Sequence, residues 1–220
     1  MSTKETNVLI EKRGILALKN VLLATGRIDP QIEEDSTKIS WDGTLLFWDS
    51  REKFGEKDCA GRIPVQVKST DSPKFKNGLL RYSGVSLIDL KNYKQDGGCL
   101  YFVIDISSQT PSIYYELLLP YELEKTLSIK RPANVKTTTL YLNRFPESDG
   151  AISALMHLFL SERNKQVSTA GLTFDIQNLD ERAKKLLLDL TEKGIAPFSF
   201  SMIGTVENPF KNSFEIPTYF

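Results

Sequence analysis

Residues 99–107, CLYFVIDIS, constrain the fold more than any other stretch of the chain. A strand with one face in water alternates apolar and polar side chains, and this one is apolar on nearly every position from Cys99 to Ile106. Such a run belongs to a strand covered on both faces. The cover has to come from helices, so the expected class is a layered α/β protein. The flanking segments carry the matching periods. In NVLIEKRGILALKNVLLATG, the residues Val8, Ile15, Leu18 and Leu22 recur at helical steps, and Gly26 stops the run. SLIDLKNYKQDGG reads as a second helix, opened by an S-x-x-D capping box (Ser86, Asp89) and closed by Gly97-Gly98. TLLFW, following Asp42-Gly43, and IPVQVK read as strands joined by a charged loop, residues 49–62, in an antiparallel hairpin. IYYELLLP reads as a further strand.

The order is helix, two strands, helix, two strands. It predicts an α/β core over residues 1–130, with a central mixed sheet flanked by helices. RIDPQIEEDSTKIS reads as a polar connector and SPKFKNGLLRYSG as a loop. An α+β extension is expected over residues 131–220: strand VKTTTLYLNRFP, helix DGAISALMHLFLSERNK, strand GLTFDIQ, helix NLDERAKKLLLDLTEKG, strand APFSFSMIGT. The sequence ends on FEIPTYF, apolar and aromatic where chain ends are commonly polar. A longer parent chain is therefore expected.

Composition removes several functions. Lys+Arg and Asp+Glu both total 28, so no overall field attracts a polyanion, and nucleic-acid binding would need a local cluster. Two cysteines (Cys59, Cys99) and one histidine (His157) do not suit a zinc site. A histidine-dependent hydrolase would have to use His157, which lies in the apolar helical run SALMHLFLSE and reads as a packed side chain. No P-loop, GxGxxG or HExxH occurs. The N-terminus lacks a signal-peptide layout, and no apolar run approaches the ~20 residues of a membrane span. A cytoplasmic protein without a membrane partner is expected.

Four polar residues are awkwardly placed for a plain scaffold. In GRIPVQVKST the residues Ile63, Val65 and Val67 form one oily strand face, so Gln66 and Lys68 project together on the other, roughly 7 Å apart. Asp42 opens the preceding strand. Glu11 falls on the apolar stripe of the first helix, between Val8 and Ile15; either its carboxylate turns out to solvent at the stripe's edge, or it meets a cation, a metal or water. A helix lying across the two strands would gather all four. Phosphodiester hydrolysis has use for such a set. Asp42 would be the main ligand of Mg2+ (or Mn2+), with the Gln66 carbonyl oxygen and Glu11 as further ligands. Lys68 would orient or deprotonate the water and stabilise the pentavalent transition state.

Asp42 followed by Gln66-Val67-Lys68 resembles the PD-(D/E)XK nuclease superfamily, in the variant where glutamine replaces the motif's acid, as in Mrr-type restriction domains. The stretch from SWDGTLLFW through GRIPVQVKST to SLIDLKNYKQDGGCLYFVID is similar to uncharacterised bacterial nuclease-like domains found in defence-type proteins. The resemblance covers roughly residues 8–120. It implies a restriction-endonuclease-like α-β-β-β-α-β core, magnesium dependence, and nucleic acid as substrate, DNA more often than RNA. It also implies a catalytic set of Glu11, Asp42, Gln66 and Lys68. Lys74, Lys76, Arg81 and Tyr82, with Phe75 between them, follow the Lys68 strand, and Lys91 lies on the next helix. These are the candidate nucleic-acid contacts, set against the alternative of an ordinary loop. A homodimer or larger assembly would suit cutting of both strands. The competing expectation is a non-catalytic nucleic-acid- or protein-binding module on the same fold, with Gln66 marking a decayed site.

Overall fold

The structure, a computed structural model, describes residues 3–33, 40–52 and 55–170. The elements expected after residue 170 and the tail FEIPTYF lie outside the described residues. The described residues all fall in the first compact unit, residues 1–172. The elements of the first unit are α1 (Thr3–Ala24), β1 (Ile28–Ile32), β2 (Gly43–Trp48), β3 (Cys59–Thr70), β4 (Phe75–Lys76), β5 (Leu79–Ser86), α2 (Leu87–Gln95), β6 (Cys99–Asp105), β7 (Ser112–Leu118), α3 (Pro120–Ser128), β8 (Thr137–Arg144) and α4 (Asp149–Ala170).

Among the described residues eight strands form one mixed sheet, in the order β1-β2-β3-β6-β7-β8-β5-β4. Only β3 and β6 pair in parallel, joined through a crossover that includes α2; the other neighbours are antiparallel. β6 is buried on both faces, as its composition demands. Leu100, Phe102 and Ile104 enter a core with Ile15, Leu18 and Leu22 of α1 and with Ile152, Met156 and Phe159 of α4. Cys99, Tyr101 and Val103 enter a second core with Leu90 and Tyr93 of α2, Leu123 of α3, and Leu80, Leu140 and Leu142 of β5 and β8. The protein is therefore α/β, with helices packed on both faces of the sheet.

Gly14 has a packing reason. A Cβ there would run into the Ser69 side chain, so the glycine lets α1 lie close on β3. The helix ends where expected: the Thr25 hydroxyl donates to the Leu22 carbonyl at 2.6 Å, and Gly26 takes φ +63°. The segment read as a connector contains β1, at the sheet edge, where Pro30 is tolerated. The segment read as a loop is the β4–β5 hairpin. The domain boundary expected near residue 130 falls between α3 and β8. Beyond it, β8 pairs with β5 and β7, and α4 packs into the α1 core. No described helix is long and apolar enough to cross a membrane.

Candidate active site

The residues Ser40, Trp41 and Asp42 lead into β2 and are held by α2 and β3. Ser40 sits at φ 72°. Its hydroxyl donates to Asp89 at 2.8 Å and accepts from the Asn92 amide at 2.7 Å. The Trp41 ring meets Tyr93 edge-on, with centroids 5.8 Å apart. The Asp42 N–H donates to the Val65 carbonyl at 3.1 Å, continuing the β2–β3 ladder by one residue. Beyond that point β2 has left, and the Asp42 side chain takes over. Its Oδ2 accepts the Val67 N–H at 2.8 Å and also the Gln66 side-chain N–H.

Gln66 is only 4% exposed, and both ends of its amide are engaged. A carboxylate only accepts, so the amide nitrogen faces Asp42. The amide oxygen accepts the Tyr93 hydroxyl at 3.2 Å. Burial, the largest cause, pushes the Tyr93 hydroxyl well above the ordinary tyrosine range, and the charge of Asp42 adds to the rise. Tyr93 therefore stays protonated and donates. Burial followed by the fields of neighbouring groups, Asp42 among them, also raises Cys99 and Tyr101 well above their usual values. Asp42 thus looks into the polar part of the α2-side core.

Lys68 lies on the same strand face as Gln66, opposite Val103 of β6, and is exposed. Glu11 is half-buried on α1, which packs against the other face, where Val65 and Val67 point. With Gly14 against Ser69, Glu11 lies a turn further along, towards the end of β3. Asp42, Gln66 and Tyr93 are thus brought into one bonded set with Lys68 beside it. Glu11 makes no hydrogen bond or ion pair with any of them among the described residues. The Gln66 oxygen, expected as a metal ligand, is turned to Tyr93.

The fit to a divalent ion follows from this donor set. Among the described residues no three Asp, Glu, His or Cys side chains group as a metal site. Asp42 offers a carboxylate here. That meets the minimum for magnesium, which takes one or two carboxylates and fills the remaining positions with water and substrate phosphate oxygens.

The expected nucleic-acid contacts divide between surfaces. In the β4–β5 register Lys76 pairs with Leu79, and Arg81 donates its backbone N–H to the Lys74 carbonyl, so Lys74, Lys76 and Arg81 share one hairpin face. The Lys76 amine stands 5.8 Å over the Tyr141 ring on that side. Tyr82 faces the other way, against Tyr101, with centroids 6.3 Å apart. Burial raises its pKa. Lys91 is exposed on α2. His157 is exposed on α4, with its ring edge on Phe47 and its Nε2 3.1 Å from Asp49.

Tyr93 does not stand out in the sequence; it sits three residues after Leu90 and reads as helix core. Glu116 escapes the sequence reading too, although a lone acid in SIYYELL signals it. It lies opposite Tyr101 on the same sheet face, and burial first, then Glu122, pushes its carboxyl up to about 7. Compared with known protein families, curated proteins and solved structures, the chain has no significant match.

Proposed function

We propose that this chain is a metal-dependent nuclease of the glutamine-variant PD-(D/E)XK type, cleaving phosphodiester bonds of DNA, with bacterial defence as its setting. The observation that carries the reading is the joining of Asp42 to Gln66 and to the backbone of the strand that bears Lys68. The order α1-β1-β2-β3-α2-β6, with the β4–β5 hairpin inserted between β3 and α2 and with β1-β2-β3-β6 adjacent in the sheet, supports the α-β-β-β-α-β core that the resemblance implies.

In this reading Asp42 holds Mg2+ or Mn2+, which supplies charge neutralisation at the phosphate and an acidified water. The exposed Lys68 amine binds the phosphate oxygens and stabilises the charge that builds up on them. Gln66 orients the Asp42 carboxylate through one end of its amide while Tyr93 fixes the other. Glu11, towards the end of β3, acts through water or substrate rather than directly.

One observation favours the rival reading, a non-catalytic binding module. Asp42 Oδ2 and both ends of Gln66 already satisfy one another, as a structural network would. The two are separated by incubating plasmid and single-stranded DNA with magnesium or manganese, using the native chain beside Lys68→Ala and Asp42→Ala. Metal-dependent cutting lost in both variants, by on the order of 100-fold or more, is the expected outcome. DNA binding without cutting in the native chain supports the module. Equal cutting by all three refutes the assigned site.

A further inference from the structure

The strands β4, β5 and β8 have an inward and an outward face of opposite character. Leu80, Leu140 and Leu142 are buried in the α2-side core, and the rings of Phe75 and Tyr82 meet Tyr114 and Tyr101 there. Side chains alternate along a strand, so Lys74, Lys76, Arg81 and Tyr141 point outward. Arg81 lies opposite Tyr141 and, across the hairpin, donates its backbone N–H to the Lys74 carbonyl. Lys74, Arg81 and Tyr141 therefore form one row, about 10 Å long at the usual strand spacing. The Lys76 amine reaches over the Tyr141 ring, 5.8 Å from its centroid, an arrangement that holds the cation in place. All four residues are exposed, so no described element covers this face.

Charge is segregated here, although the chain as a whole balances 28 basic against 28 acidic residues. Residues 72–88, which hold β4 and β5, contain no Asp or Glu, and neither do residues 125–146, which hold β8. Among the described residues Lys74, Lys76 and Arg81 form no ion pair, whereas Arg51, Lys94 and Arg144 each hold a carboxylate. Hydroxyls continue the row pattern: Thr139 lies opposite Ser83 and donates to it at 3.4 Å. The turn at Asn77 (φ 53°) and Gly78 (φ +81°) suits a tight two-residue hairpin and sets Lys76 opposite Leu79. Lysine, arginine and hydroxyl donors without a carboxylate among them are what grips the phosphates of a nucleic-acid backbone. An anionic membrane would call for an apolar wedge beside the cations. The exposed ring of this face, Tyr141, is already engaged by Lys76.

The outward face turns away from Asp42, Gln66 and Lys68, which lie on the inward side with Tyr93 and Tyr101. We propose that the outward face of β4, β5 and β8 is a second nucleic-acid surface, separate from the Lys68 site, which grips the phosphate backbone without regard to base sequence. Binding there needs neither a metal ion nor Asp42.

The test is fluorescence anisotropy on the full chain, with two labelled DNA duplexes of unrelated sequence, across a salt series and in EDTA so that no cutting intervenes. The native chain is expected to bind both duplexes equally. Lys74→Gln combined with Arg81→Gln is expected to weaken binding about tenfold and to lower the salt slope by about two, one for each phosphate contact removed. Lys74→Arg combined with Arg81→Lys keeps both charges and is expected to retain binding. Equal thermal midpoints of the variants exclude a folding defect. Unchanged affinity or salt slope in the neutral variant overturns the proposal. So does a marked preference for one duplex, or a native chain that binds phosphatidylserine vesicles and neither duplex. Binding that depends on Lys74 and Arg81, without metal-dependent cutting by the native chain, leaves the surface standing and removes the nuclease reading instead.

Discussion

The two faces of the sheet are built on different terms, although β6 contributes to both. On the α1 and α4 side, Leu100, Phe102 and Ile104 meet Leu18, Met156 and Phe159, and stability there comes from filling space. On the α2 and α3 side, the alternate residues of the same strand meet Gln66, Tyr93 and Glu116, with Asp42 at the margin. Stability on that side depends on each polar group keeping its partner. The candidate chemistry sits on the second face because a carboxylate and an amide can be held there at fixed positions without being sealed from substrate. Lys68, on the same face, is exposed.

Unfolding measurements can break this contrast between the faces. The largest effect is expected from Phe102→Ala, about 3–5 kcal/mol by urea titration, since the cavity would open in the packed face. A loss below about 1 kcal/mol would mean that this face is not the close-packed one. Next comes Gln66→Leu, similar in size but without the amide. It takes one donor from the Asp42 carboxylate and strands the Tyr93 hydroxyl, for about 1–3 kcal/mol. Combined with Tyr93→Phe, the two losses should be less than additive; strict additivity would dissolve the network.

A smaller effect concerns pH. Glu116 has its carboxyl raised to about 7 from the ordinary 4.5, so folding favours its protonated form. That contribution is fully present below about 4.5 and is lost as pH rises through about 7. The thermal midpoint should accordingly fall across that window, and Glu116→Gln should flatten the slope. A slope unchanged in the variant would assign the titration elsewhere. Smallest is Lys68→Ala, expected to leave stability within about 0.5 kcal/mol because the side chain is exposed. A larger shift in its melting curve would give Lys68 a structural role and weaken its use as a clean probe of cleavage.

Much of this arrangement can be read from single residues. The double-sided β6 follows from CLYFVID, and Gln66 and Lys68 share a face because a strand repeats every two residues. β1 is harder, because Pro30, Asp29 and Gln31 look like a connector. Yet Ile28, Pro30 and Ile32 alternate as buried residues once an edge position removes the need for the missing N–H. The Asn77-Gly78 turn is legible in principle, but the two-residue β4 beside it leaves no strand period to see. The partners of the site are less legible still. Ser40 with Asp89 and Asn92, and Gln66 with Tyr93, join residues 27 to 52 positions apart. No local pattern encodes such contacts; they exist only once α2 has docked on β3. The same holds for Glu11, whose helical stripe is evident while its distance from the other three depends on which sheet face α1 chooses.

The Val67 N–H, at the point where β2 leaves β3, is paired with a carboxylate instead of a backbone carbonyl. A rung of the sheet is therefore made of a side chain that can be drawn away. Under the nuclease reading, a cation that drew the Asp42 Oδ2 away would leave that amide bare or pull β3 slightly with it. Occupancy at Asp42 and closure of the strand fork would then be one coupled equilibrium, in which the readiness of the fork to part limits how tightly a cation can use that oxygen.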